Sequence, residues 1–133
     1  MHLLSAVIMA QVVGDYYAAM NAHVVDRALS FLHPNVLVTF PEQERNWRGV
    51  EAAREKFGGM FERMPGFTGS FEVKGEETRP SPHEGGDGDG VDVSTVTVLT
   101  VACRFRCAQT GADSARDMVY HVCGGLIAEI HHL

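Results

Sequence analysis

Positive charge is scarce in this chain: 11 Lys and Arg stand against 17 Asp and Glu, a formal net charge of −6. No Lys/Arg run interrupts that balance, and without a clustered basic patch a phosphate backbone has little to bind, which argues against nucleic acid as a partner. Cysteine is scarce too. Cys103, Cys107 and Cys123 are an odd number with no CxxC spacing, which argues against a disulfide framework and a zinc knuckle. Read as small buried hydrophobes, the three thiols fit a reducing, cytoplasmic compartment. No stretch approaches the length of a membrane span, so no membrane partner is expected. The apolar start MHLLSAVIMA lacks the basic region of a signal peptide and runs without a break into a helical pattern, so it reads as helix.

What is present is an ordinary globular balance, 45% hydrophobic and 21% charged over 133 residues. That length predicts one domain, residues 1–133, burying roughly two-thirds of the surface its unfolded form exposes. Met9, Val12, Val13, Tyr16, Tyr17 and Met20 recur at helical spacing and predict a first helix over 5–20, with Ser5 as N-cap. Asn21 is placed to cap a shorter helix carrying Val25, Ala28, Leu29 and Leu32, which Pro34 forbids from continuing. Val36 to Phe40 reads as a strand, Glu42 to Arg45 as a polar hairpin tip, and Asn46 to Arg48 as the short return. A third helix has Val50, Ala53, Phe57, Phe61 and Met64 on one face until Pro65-Gly66 breaks it.

The rest reads as sheet. Phe67, Gly69, Phe71 and Val73 alternate with polar residues as in a strand with one wet face. RPSPHEGGDGDG, Arg79 to Gly90, is too rich in Pro, Gly and Asp for regular structure. Its Asp87 and Asp89, with Asp92, echo half a calcium loop but lack the required glycine and closing Glu, so the segment reads as a solvated tip and no metal is expected. Strands follow over Val91–Cys107, Arg116–Cys123 and, after the Gly124-Gly125 turn, Leu126–His132. Cys103 and Cys107 share a strand face but lie about 13 Å apart at strand rise, too far to hold one ion. The neighbours His131 and His132 point to opposite faces and cannot chelate one ion together; as terminal polar residues they read as exposed.

Both parities of the late strands are apolar, so a second layer is expected on the outer face of the sheet. A homodimer through Met118, Tyr120, Val122, Val96 and Val98 is the simplest supplier.

The element order α-α-β-β-α-β-β-β-β, the YY pair of helix one, HPNVLVTFPEQERNWRG leading into VEAAREKF, and the closing RDMVYHVCGGLIAEI together resemble the nuclear transport factor 2-like superfamily and its SnoaL-like members. The resemblance covers nearly the whole chain. It implies an α+β fold in which a cone-shaped, curved antiparallel sheet wraps around N-terminal helices, with Trp47 packed over the cone and Gly49 freeing the backbone to enter helix three. An apolar small molecule would occupy the cone, against Phe40, Trp47, Phe57, Phe61, Phe105 and Val119. Laid against the ketosteroid isomerase pattern, Tyr16 falls where that family keeps an oxyanion-donating tyrosine, and Asp117 where it keeps a protonated aspartic acid. Phe40, before Pro41, stands where the family keeps its proton-shuttling aspartate and carries no proton. His121, two positions from Asp117 on one strand face, is the substitute base this reading offers. No cofactor is implied. Two functions stay open: an isomerase, dehydratase or cyclase acting by proton transfer, or a non-catalytic module whose acidic hairpin, Glu42 and Glu44, suits a basic partner.

Overall fold

In the computed structural model, which describes residues 2–80 and 95–133 and side chains from residue 8 onward, helix α1 runs from His2 to Asn21 and starts ahead of the Ser5 cap expected. Val13, Tyr16, Tyr17 and Ala19 make its buried face. Asn21 does not cap α2; it closes α1, and its amide clamps Gly69, with Gly69 N donating to Oδ1 at 2.7 Å and Nδ2 donating to Gly69 O at 3.0 Å. Helix α2 is only Val25–Leu29. Leu32, expected at its end, instead opens strand β1, Leu32–Thr39.

Pro34 therefore sits in a strand. β1 pairs in parallel with β6, Leu126–His132, and between the Leu32↔Ile127 and Leu37↔Glu129 pairs β1 advances five positions while β6 advances two. A proline costs no ladder bond inside such a bulge. A 3-10 turn at Gln43–Arg45 leads into β2, Trp47–Arg48, which returns along β1 as the hairpin predicted. Gly49 follows at φ 99°, a conformation only glycine adopts freely, and its N–H donates to Val36 O at 2.8 Å. Helix α3, Val50–Arg63, buries Ala53, Phe57 and Phe61, as its spacing predicts.

Strands β3 (Phe67–Pro80), β4 (Thr95–Cys107) and β5 (Ala112–Cys123) complete a six-stranded sheet of order β2-β1-β6-β5-β4-β3, antiparallel except at β1–β6. β3 continues through Arg79 and Pro80, which composition placed in the loop; the rest of that loop and Asp87, Asp89 and Asp92 lie outside the described residues. The α+β class and element order are those expected, with the sheet one strand-pair more mixed.

The helices lie against one face of the sheet, and register decides which residues of β5 meet them. Leu99 pairs with Tyr120, Val101 with Met118 and Cys103 with Arg116, and directly paired residues share a face. Leu99, Val101, Met118, Tyr120 and Val122 are buried in the core under α1. The outer-face assignment of Met118, Tyr120 and Val122 is thus reversed: the convex face of β5 carries Asp117, Val119 and His121 instead, opposite Ala102, Thr100 and Val98. Val96 and Val98 do share the convex parity, but both are already buried within the single chain. The convex face therefore carries Val96, Val98 and Val119 together with an ion pair, Lys74 Nζ to Asp117 Oδ2 at 2.8 Å.

Candidate functional site

Between the concave face of the sheet and α1, α3 and the β1–β2 hairpin lies an open pocket of about 460 Å³. Each wall follows from local structure. α1 contributes Tyr16 and Tyr17 because i, i+1 and i+4 spacing turns both inward beside Met20. α3 contributes Phe57 and Met60. The hairpin lays Trp47 across the opening, its ring edge-on to Phe57 at 6.4 Å, and Phe40 lines the wall where β1 ends. Phe105, Met118, Tyr120 and Ile130 form the sheet side. Of the predicted site residues, Tyr16, Phe40, Trp47, Phe57 and Phe105 thus come together. Phe61 is buried but not on the lining, stacked on His23 at 4.3 Å.

Asp117, Val119 and His121 are not part of it. They occupy the convex parity of β5, with the sheet between them and Tyr16. Asp117 is paired with Lys74 in solvent, not enclosed among apolar neighbours, and the expected Tyr16–Asp117 donor pair is not assembled. The physical cause is the period of two: a single position of parity exchanges the faces of every residue on a strand.

At the pocket floor the three tyrosines are coupled. Tyr17 Oη lies 2.8 Å from Tyr120 Oη and 3.0 Å from Cys103 Sγ, and the Tyr16 ring stands edge-on to both Tyr17 and Tyr120. Burial pushes all three phenols well above the ordinary tyrosine range, and desolvation raises the Cys103 thiol as well. These groups stay protonated at neutral pH and act as donors. Among the described residues the Tyr16 hydroxyl has no hydrogen-bond partner, although Tyr16 lines the pocket.

His132, read from sequence as an exposed terminal residue, lines this pocket with its imidazole. Parallel pairing of β6 with β1 sets it beside the end of β1, where its ring stacks on Phe40 at 4.1 Å and Nδ1 lies 3.0 Å from Thr39 O. A carbonyl only accepts, so Nδ1 carries the hydrogen and Nε2 the lone pair. Desolvation, the largest influence, pulls the imidazole below its usual 6.5, so it is neutral at pH 7. Its ring contact with Phe40 is a link sequence reading missed. The usable signal was the odd parity separating His131 from His132; the pairing partner of β6 had no signal.

Charge on the lining is one-sided. Among the described residues, Arg45, Lys56, Arg63, Arg106 and Arg116 line the pocket against the single carboxylate Asp113, which is already bridged to Arg104 at 3.0 Å and Arg106 at 3.7 Å. Arg45 reaches Glu42 at 3.5 Å, and among the described residues Lys56, Arg63 and Arg116 have no carboxylate partner. In a chain of net charge −6 this concentrates positive potential at one opening. Among the described residues, no helix is long and apolar enough to cross a membrane.

A family model described as a SnoaL-like domain matches residues 13–130. Among solved structures, a ketosteroid isomerase-like protein from Erwinia carotovora atroseptica superposes with TM-score 0.65 at 12% identity, over 95% of this chain and 92% of its own. A protein inferred to be a polyketide cyclase from Sinorhizobium meliloti gives 0.63 at 15% identity, over 92% and 94%. An NTF2-like protein of unknown function from Cytophaga hutchinsonii gives 0.61 at 17% identity, over 94% and 88%. At such identities the likeness is one of fold. Among curated proteins none matches in sequence.

Proposed function

Since the chain belongs to the SnoaL-like domain family, we propose that its pocket takes an apolar carbonyl compound bearing an acidic group and moves a proton on it. The observation that carries this reading is a neutral imidazole and a phenol that has no hydrogen-bond partner among the described residues, on the same apolar lining. The apolar body of the ligand packs against Trp47, Phe57 and Phe105, and its anionic end meets Lys56, Arg63 and Arg116 at the lining.

The step follows from ordinary acid–base chemistry. His132 Nε2 takes a proton from the carbon beside the carbonyl, and the C–H electron pair moves into the new carbon–carbon double bond. The carbonyl electrons shift onto oxygen, where the Tyr16 hydroxyl donates a hydrogen bond to the enolate. The imidazolium then returns its proton to carbon, at the same position or a conjugated one, and the base is regenerated. A positioned base contributes about 100- to 10,000-fold, and one oxyanion donor about 100- to 1,000-fold. His132 replaces His121 as the base, and Tyr16 acts without Asp117.

The test uses a panel of apolar keto acids in deuterated water. Trp47, the single tryptophan of the chain, reports binding by fluorescence, and proton NMR reports exchange of the α-hydrogens. Saturable binding with catalysed exchange that falls at least 100-fold in His132→Gln and in Tyr16→Phe supports the reading. Binding without exchange leaves a non-catalytic binding module, the function to which the acidic hairpin also points. Exchange unaltered in His132→Gln removes the proposed base.

A further inference from the structure

On the other face of the sheet, three side chains outside the pocket converge. Glu129 and His131 are two apart on β6 and so share the convex face, and His121 of β5 is paired directly across from Glu129. His131 Nε2 lies 2.7 Å from Glu129 Oε1 and His121 Nδ1 lies 3.7 Å from that same oxygen. The two imidazole rings are 5.0 Å apart, nearly edge to face. One ligand atom from each of the three lies within 4.8 Å of the others.

We propose that His121, Glu129 and His131 form a binding site for a divalent late transition metal, of which zinc is the representative. Two imidazoles and one carboxylate are a donor set that suits zinc, leaving a fourth position for water. Bonds of about 2.0–2.2 Å in a tetrahedral arrangement put neighbouring ligand atoms about 3.3 Å apart. The two distances to Glu129, 2.7 and 3.7 Å, bracket that value, and with all three ligand atoms within 4.8 Å of one another rotamer adjustments on the order of an ångström close the site. The three side chains are 22–28% exposed, enough for an ion to enter while strand pairing fixes the backbone beneath them.

A hydrogen bond that holds one of the three ligands is in place as well. Thr39 Oγ1 lies 2.7 Å from His131 Nδ1, across the Thr39↔His131 pair. Metal-ligating histidines commonly have their other ring nitrogen held by such a partner, which fixes tautomer and ring orientation. With the ion bound, Nδ1–H donates to the threonine and Nε2 offers its lone pair to the metal. Without it, Nε2–H donates to Glu129 and the threonine hydroxyl donates to Nδ1. Both states keep the two ring nitrogens of His131 and the Thr39 hydroxyl paired, so the cluster is compatible with reversible loading.

Isothermal titration calorimetry of tag-free protein with Zn2+, together with Co2+ absorption, tests the site. The expected result is one Zn2+ per chain at micromolar affinity, with intense visible bands of four-coordinate Co2+. Glu129→Gln, His121→Ala and Thr39→Val should weaken binding at least tenfold, while His33→Ala, on exposed backbone of β1, should leave it unchanged. Circular dichroism melts of each variant without metal verify folding. Absence of binding below millimolar Zn2+, or stoichiometric binding that persists in a His121→Ala/His131→Ala double variant, overturns the proposal.

Discussion

Removing the hydroxyl of Tyr17 should cost more than removing that of Tyr120, and removing both should cost less than the sum. Tyr17 Oη is the shared member of the buried network, 2.8 Å from Tyr120 Oη and 3.0 Å from Cys103 Sγ. In Tyr17→Phe the Tyr120 hydroxyl keeps only Met118 Sδ at 4.0 Å, too weak a partner to offset desolvation. Leaving a buried donor unsatisfied costs about 1–3 kcal/mol, whereas replacing both partners by apolar groups of the same shape is close to neutral. Tyr120→Phe leaves Tyr17 its cysteine partner, so about 1 kcal/mol is expected against about 2 kcal/mol for Tyr17→Phe. The double variant should lose about 1.5 kcal/mol, a coupling of about 1.5 kcal/mol. Unfolding entropy of about 2.1 cal/mol/K per residue over 133 residues gives about 0.28 kcal/mol/K. The Tyr17→Phe loss should therefore lower Tm by about 7 °C. Thermal melts of the four proteins of the cycle, followed by circular dichroism, measure it. Additivity of the two single changes, or a neutral Tyr17→Phe, would refute the network as an energetic unit.

Asp117→Asn should change stability by less than about 0.5 kcal/mol, since its pair with Lys74 is half-exposed, and should leave any turnover untouched; loss of turnover would restore it to the site. Gly69→Ala places a Cβ 3.1 Å from the Phe105 ring and 3.4 Å from the Tyr17 ring, so overpacking should cost about 1–3 kcal/mol in a denaturant melt. Gly58→Ala, with nothing within 4 Å on helix α3, should gain about 0.5–1 kcal/mol in the same assay. His132, depressed below 6.5 by desolvation, works as a base only when neutral. Activity as kcat/KM should accordingly rise as pH climbs through a value below 6.5 and stay flat above; a fall in that range would exclude it as base. The same depression means the unfolded chain binds the proton more tightly, so this residue's contribution to stability is lost as pH falls below 6.5.

By itself the sequence determined the elements whose patterns have contrast. Ala53, Phe57 and Phe61 recur among polar neighbours and announce both α3 and its buried face. FPEQERNWRG announces its hairpin because a polar tip separates strand residues and Gly49 alone takes φ 99° without strain. The pocket's aromatic half, Tyr16, Phe40, Trp47, Phe57 and Phe105, follows from those elements. Only the tertiary structure decided the face of β5. Met118, Tyr120 and Val122 alternate with Val119 and Cys123, so both parities are apolar and the period-2 signal has no contrast to read. Pairing of Leu99 with Tyr120 settles it, sending Asp117 and His121 to the convex side. The same holds for β6. Its parallel pairing with β1 joins residues more than 90 positions apart, a contact no local pattern encodes. That single pairing sets His132 against Phe40 on one face and His131 against Thr39 on the other, because adjacent residues of a strand must point to opposite sides of the sheet.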